Sequence, residues 1–172
     1  RSNAYPDPIH GSKVPTTGYG TTRESPGALA YLKSQGLDPS KVFAIGSGGQ
    51  AVTKDQALDM VNLALDYNRK ELVKLYPNFD KFPEPARIGL QDMSYQMSPF
   101  TVGKFPNMSN ALRADKVDWD LVAREGMDSK WARTDTPARA KRVTDQIASS
   151  KTWKPPVPLP ASAPKVPLPT TP

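Results

Sequence analysis

Apolar positions recur with a helical period through most of this chain. The clearest run is Ala57, Met60, Val61, Ala64, Leu65, Leu72 and Leu75, whose three- and four-residue spacing places them along one face. Ahead of it, Thr53-Lys54-Asp55-Gln56 has the capping-box pattern, in which the threonine hydroxyl and the glutamine amide each satisfy an amide of the first turn. One continuous helix over roughly 54–75 is predicted. Pro77, Pro83 and Pro85 end it, and a second helix follows carrying Ile88, Leu90, Met93 and Met97. Further helices are predicted to start near Pro106, Asp118 and Thr136, the last with proline at its first position and Ala140, Val143 and Ile147 along one side. Residues 84–150 are therefore expected to be helical.

The amino end has a different rhythm. Over 4–21, prolines and glycines interrupt too often for helix, while β-branched and aromatic residues fill the gaps, so a small antiparallel hairpin is expected, with Asp7 in a Pro-Asp-Pro turn. Ser25-Pro26 has the form of an N-cap followed by a preorganised first residue, and Ala28, Leu29 and Leu32 make one short apolar face up to Gly36. Residues 37–52 are mixed and contain a Ser47-Gly48-Gly49 turn. At the other end eight of the last 22 residues are proline, which predicts an extended or disordered linker or docking strap. The expected organisation is one domain over 1–153 and a proline-rich tail over 154–172. Its fold class is α+β: a small N-terminal β-lobe, a long connecting helix and a C-terminal helical lobe, with a cleft between the lobes.

Composition narrows the chemistry. There is no cysteine and a single histidine, His10, so a structural zinc site is not expected. No run of about 18 apolar residues exists to span a membrane. The net charge of +6 favours polyanionic partners such as nucleic acid, teichoic acid or the carboxylate-rich peptides of a cell wall. Basic residues are interleaved with acids and form no recognisable nucleic-acid motif, so a nucleic-acid partner is not expected. Gly46-Ser47-Gly48-Gly49 lacks the Lys-Ser/Thr that completes a phosphate cradle, and no nucleophile–histidine arrangement is offered. Carboxylate chemistry remains. It needs two acids flanking a scissile bond, and Asp7, beside the glycine-rich strand 14–20, is the acid best placed for it, although an aspartate in a turn commonly just bonds its own backbone.

Several blocks together resemble the phage-type lysozymes. Ala4-Tyr5-Pro6-Asp7 followed by Thr16-Thr17-Gly18-Tyr19-Gly20 is similar to the first hairpin of that family, and Val52-Thr53-Lys54-Asp55-Gln56-Ala57 to the start of its interlobe helix. Phe105 to Leu112 resembles another family helix, and Ser129-Lys130-Trp131 with Thr136-Pro137-Ala138-Arg139-Ala140-Lys141-Arg142-Val143 is the most specific match. The resemblance covers about residues 4–153. It implies a muramidase that cuts between N-acetylmuramic acid and N-acetylglucosamine with inversion, without metal or organic cofactor. Asp7 would position or activate the hydrolytic water and Thr16 would hold that water from the other side.

The family's general acid is a glutamate a few residues before the position of Arg1, so the chain is expected to be part of a longer polypeptide, or a trimmed product, and 1–172 by itself to be inactive. Thr21 stands where the family often has histidine, and residues 22–45 match poorly. Trp131 is expected in the core and Arg139 and Arg142 as buttresses, with Glu24 a solvated turn residue. The implied setting is a phage virion, tail or injection apparatus acting on peptidoglycan in the periplasm or wall, with the proline tail docking other virion proteins. The alternative is a catalytically silent lysozyme-like structural or wall-binding module.

Overall fold

The computed structural model describes residues 3–7 and 11–156. His10 and residues 157–172 of the proline-rich tail lie outside them, so the expectations for both rest on sequence alone; residues 153–156, which are described, form neither helix nor strand. The fold is mixed α and β. Strand β1 (Tyr5–Asp7) pairs antiparallel with β2 (Gly11–Thr16), Tyr5 opposite Thr16 and Asp7 opposite Gly11, with a register irregularity between Pro6 and Asp7. A parallel bridge from Ala4 to Ile45 ties β1 to the segment behind it.

Helices make up the rest: α1 (Ala28–Ser34), α2 (Pro39–Val42), α3 (Lys54–Leu75), α4 (Glu84–Met97), α5 (Pro99–Gly103), α6 (Pro106–Leu112), α7 (Trp119–Met127) and α8 (Pro137–Ala148). Helix α3 has the predicted limits. Its capping box is closed on both sides, the Gln56 amide donating to Thr53 Oγ1 at 3.1 Å and the Thr53 amide to Gln56 Oε1 at 2.9 Å. It buries Ala57, Met60, Ala64, Asn68 and Leu72. The Asp118 carboxylate caps α7 by accepting from the Leu121 amide at 3.1 Å.

One expectation needs correction. Ser25 does not cap α1: its hydroxyl accepts from the Thr22 amide at 3.0 Å, and the helix starts later, after Gly27 in the left-handed region. A serine this close to a turn has two local backbone partners to choose from, and here the turn takes it. Ile88 is 46% exposed, and the face of α4 turned inward carries Ala86, Gly89, Leu90, Met93 and Ser94. Residues 37–52 contain a helical turn, α2, initiated by the Asp38 carboxylate accepting from the Ser40 amide at 2.9 Å.

Two hydrophobic clusters hold these elements. The larger joins Leu72, Tyr76 and Phe79 to Leu90, Met93, Met108, Trp119, Trp131, Val143 and Ile147. The smaller joins Leu32, Val42, Phe43 and Val52 to Ala57 and Met60. Helix α3 contributes to both, its first half to the small cluster and its second half to the large one. Helices α4 and α8 approach closely because Gly89 carries no side chain: a Cβ there would lie 2.5 Å from Ile147 Cγ1.

Candidate functional site

In an antiparallel ladder, directly opposed residues and residues two apart share a face, so Tyr5, Asp7 and Thr16 belong to the same side of the hairpin. All three line a cleft of about 420 Å³, joined by Val14, Tyr19 and Gly20 from the same region. The opposite wall consists of Tyr95 and Gln96 at the end of α4 and Thr136 and Arg139 at the start of α8. The structure thus brings both sequence-predicted site residues to one cleft. Asp7 is half-buried. Thr16 is 1% exposed, and its hydroxyl donates to the Val14 carbonyl at 3.2 Å, leaving the oxygen lone pairs as acceptors.

The loop after Thr16 is pinned at both ends and at its tip. Thr17 and Thr21 exchange backbone hydrogen bonds of 2.8 and 3.0 Å, and the Tyr5 hydroxyl donates to the Gly18 carbonyl at 3.3 Å. Gly18 has φ 59°, and a Cβ on it would lie 2.7 Å from Ala57 Cβ, so the loop rests directly on the first turn of α3. At the tip the Tyr95 hydroxyl donates to the Tyr19 carbonyl at 3.0 Å, connecting the loop with α4. Burial raises the pKa of the Tyr95 hydroxyl above its ordinary value, so it keeps its proton, and this bond, throughout the neutral range.

The facing wall is held by a chain of side-chain hydrogen bonds. Trp131 Nε1 donates to Gln96 Oε1 at 2.9 Å, and Gln96 Nε2 donates to Thr136 Oγ1 at 2.7 Å. Because an indole can only donate, it fixes which end of the Gln96 amide faces it. Trp131 opens a π-helical turn, Trp131–Asp135, between α7 and α8. The Ser129 hydroxyl starts that turn by donating to the Gly126 carbonyl at 2.8 Å and accepting from the Ala132 amide at 3.1 Å. Trp131 is thus buried in the core, at 5% exposure, with its polar edge spent on the cleft wall. Arg139 is fixed by Asp92: its Nε lies 2.8 Å from Oδ1, its Nη2 donates to the same oxygen, and Arg142 Nη2 lies 3.6 Å from Oδ2. One carboxylate on α4 therefore buttresses two guanidinium groups on α8.

Asp92, Tyr95 and Gln96 are the site residues that sequence reasoning missed. Gln96 and Asp92 sit 35 and 47 positions from their partners Trp131 and Arg139, and Tyr95 sits 76 from its partner Tyr19; no local pattern marks such pairs. Glu24 is exposed and lines an adjoining recess of about 340 Å³ that shares Gly20, Thr22, Ser25 and Tyr95 with the cleft. Among the described residues lining the cleft, Asp7 is the carboxylate and Arg139 the cation. No group of three or more His, Cys, Asp or Glu side chains among the described residues is arranged to hold a metal ion, and no described helix is long and apolar enough to cross a membrane.

Such a cleft offers a carboxylate and a hydroxyl oxygen on one wall, able to orient a water, and fixed amide, hydroxyl and guanidinium donors on the other, suited to a polar, hydroxyl-rich ligand. No protein-family model matches this sequence, and no curated protein matches it.

Proposed function

We propose that the chain is the larger part of a muramidase of the phage-lysozyme type, hydrolysing the bond between N-acetylmuramic acid and N-acetylglucosamine in peptidoglycan. The observation that carries this reading is the convergence on one cleft of Asp7 and Thr16 with Thr136 and Arg139, residues of two of the blocks whose sequences resemble that family. Two hydrophobic clusters sharing one 22-residue helix support a two-lobed arrangement with the cleft between the lobes.

In this mechanism Asp7 and Thr16 hold a water against the anomeric carbon, and Asp7 takes its proton as the bond to the sugar forms. A second carboxylic acid must protonate the leaving oxygen. In the family that the chain resembles, that acid is a glutamate a few residues before the position matched by Arg1. Gln96, Thr136 and Arg139 contribute fixed hydrogen-bond donors and acceptors to the sugars. The natural setting is a phage virion or tail that opens the wall during entry.

One observation favours a second reading, a wall-binding module without catalysis: the described cleft presents one carboxylate, whereas glycoside hydrolysis of this kind uses two. Turbidity loss of purified sacculi separates the two. The native polypeptide is expected to lyse sacculi, and Asp7→Asn to reduce lysis by about a hundredfold or more with an unchanged circular dichroism spectrum. The chain 1–172 alone is expected to bind sacculi without lysing them. A native polypeptide that binds but never lyses establishes the silent module. Lysis by the 1–172 chain turns attention to Glu24 as the acid.

A further inference from the structure

The buried stripe of α3 runs through Ala57, Met60, Ala64, Asn68 and Leu72, and Asn68 is its polar member. Met60 belongs to the smaller hydrophobic cluster and Leu72 to the larger one, whereas Ala64 and Asn68 belong to neither. Asn68 is 4% exposed, and its side-chain amide has no hydrogen-bond partner among the described residues. A carboxamide carries two donor hydrogens and an acceptor, and burying them unmet lowers stability unless something enters to meet them. Helix propensity gives no reason for asparagine here either, since leucine and alanine both favour a helix interior more strongly.

Asn68 lines the recess of about 340 Å³ that adjoins the cleft and shares Gly20, Thr22, Ser25 and Tyr95 with it. That space far exceeds what one water takes up and lies within the range of small-ligand sites. Ala64, Pro26, Pro99 and Tyr67, the last 46% exposed, give the recess apolar surface. Ser94, the other buried polar residue lining it, already donates its hydroxyl to the Gln91 carbonyl at 2.9 Å, which leaves the Asn68 amide as the buried polar group still open there. Glu24 is the charged residue among those lining the recess, so an uncharged ligand is favoured over an anion.

We propose that Asn68 is a specificity-determining residue: its carboxamide pairs with the acetamido group of an N-acetylglucosamine unit that enters this recess while the neighbouring sugar of the same strand occupies the cleft at Asp7 and Thr16. The identity of the sugar rests on the muramidase reading above. A secondary amide offers its carbonyl to the donor side of a carboxamide and its N–H to the acceptor side, a match that a single hydroxyl makes only in part, and its methyl meets Ala64 and the two prolines. Of the two sugars in the glycan, N-acetylmuramic acid carries an additional acidic arm that Glu24 opposes, so the recess selects N-acetylglucosamine.

The test follows the side-chain NH2 resonances of Asn68 in the full chain, titrated with tetra-N-acetylchitotetraose and with cellotetraose, the neutral counterpart that has a hydroxyl in place of each acetamido group. A saturable shift is expected with the first probe, and binding about tenfold weaker or less with the second. Asn68→Leu and Asn68→Ala, read from the Tyr67 ring resonances, are each expected to weaken the N-acetylated probe about tenfold, roughly 1.4 kcal/mol, without lowering the melting temperature, because the amide they remove is unmet in the free protein. An asparagine with a purely structural role gives the opposite pattern, a lower melting temperature at unchanged affinity. No saturable shift of the Asn68 resonances with the N-acetylated probe, equal affinity for cellotetraose, or a melting temperature lowered in both variants overturns the proposal. Sacculus lysis by the native polypeptide with Asn68 unresponsive counts against the recess alone, and absence of lysis with the Asn68 response intact counts against the muramidase reading alone.

Discussion

The C-terminal helices and the N-terminal hairpin are built by different means. Eighteen buried residues form the larger cluster, against seven in the smaller one, and Thr16 and Asp7 belong to neither. A three-residue strand paired with a six-residue strand is too small to be stable alone. What places the hairpin and its loop is a handful of specific contacts: Tyr5 to Gly18, Tyr95 to Tyr19, Gly18 against Ala57. The two candidate catalytic side chains therefore stand on the weaker support, and the helical body holds the wall that faces them. Global stability should follow the helices, and the candidate activity should follow the few contacts around the loop.

The largest expected effect on stability is in the helical body. Leu90→Ala, at a fully buried position, should cost about 2–5 kcal/mol and lower the melting temperature by roughly 10 °C, as read by calorimetry. Gly89→Ala comes next, because the added methyl meets Ile147 of α8; about 1–3 kcal/mol is expected, with a cooperative transition retained. An unchanged melting temperature in this variant would mean that α4 and α8 are less closely packed than described.

Gly18→Ala sharpens the contrast. Both its positive φ and its contact with Ala57 oppose a side chain, so roughly 1–2 kcal/mol of local strain is expected. Amide exchange at Thr17 and Thr21 should quicken and sacculus lysis by the native polypeptide should fall, while the melting temperature moves by only a few degrees. A drop as large as that of Leu90→Ala would break the comparison. Tyr95→Phe is the mildest change, removing one hydrogen bond worth about 0.5–1.5 kcal/mol and leaving the ring in place. Faster exchange in the loop with little change in melting temperature is the expected result.

Local grammar explains what could be read in advance. The limits of α3 follow from a capping box and a periodic apolar face, both complete within one segment, so no distant residue was needed to find them. The starts of α6, α7 and α8 were legible for the same reason, each marked by Pro at the first position or Asp at the cap. Ser25 shows where this grammar fails, since cap and turn compete for one hydroxyl at similar free energy. Ile88, apolar yet 46% exposed, shows that apolar character alone does not mark the inner face of α4, where contact with α8 selects the small Gly89. Ser98, the cap residue ahead of α5, has φ 73° and carries no sequence mark of that conformation.

From the sequence alone came the helical plan after residue 53, the hairpin before it, and Asp7 and Thr16 as candidates, the last two through resemblance. Only the tertiary structure showed that Gln96 is oriented by Trp131, that Asp92 ties down Arg139 and Arg142, and that Tyr95 reaches the Tyr19 carbonyl. Caps and periodicity act within a few residues of chain and leave their signature there. Hydrogen bonds from side chains to partners 35 to 76 positions away depend on how helices pack, and that is a property of the whole core rather than of any segment.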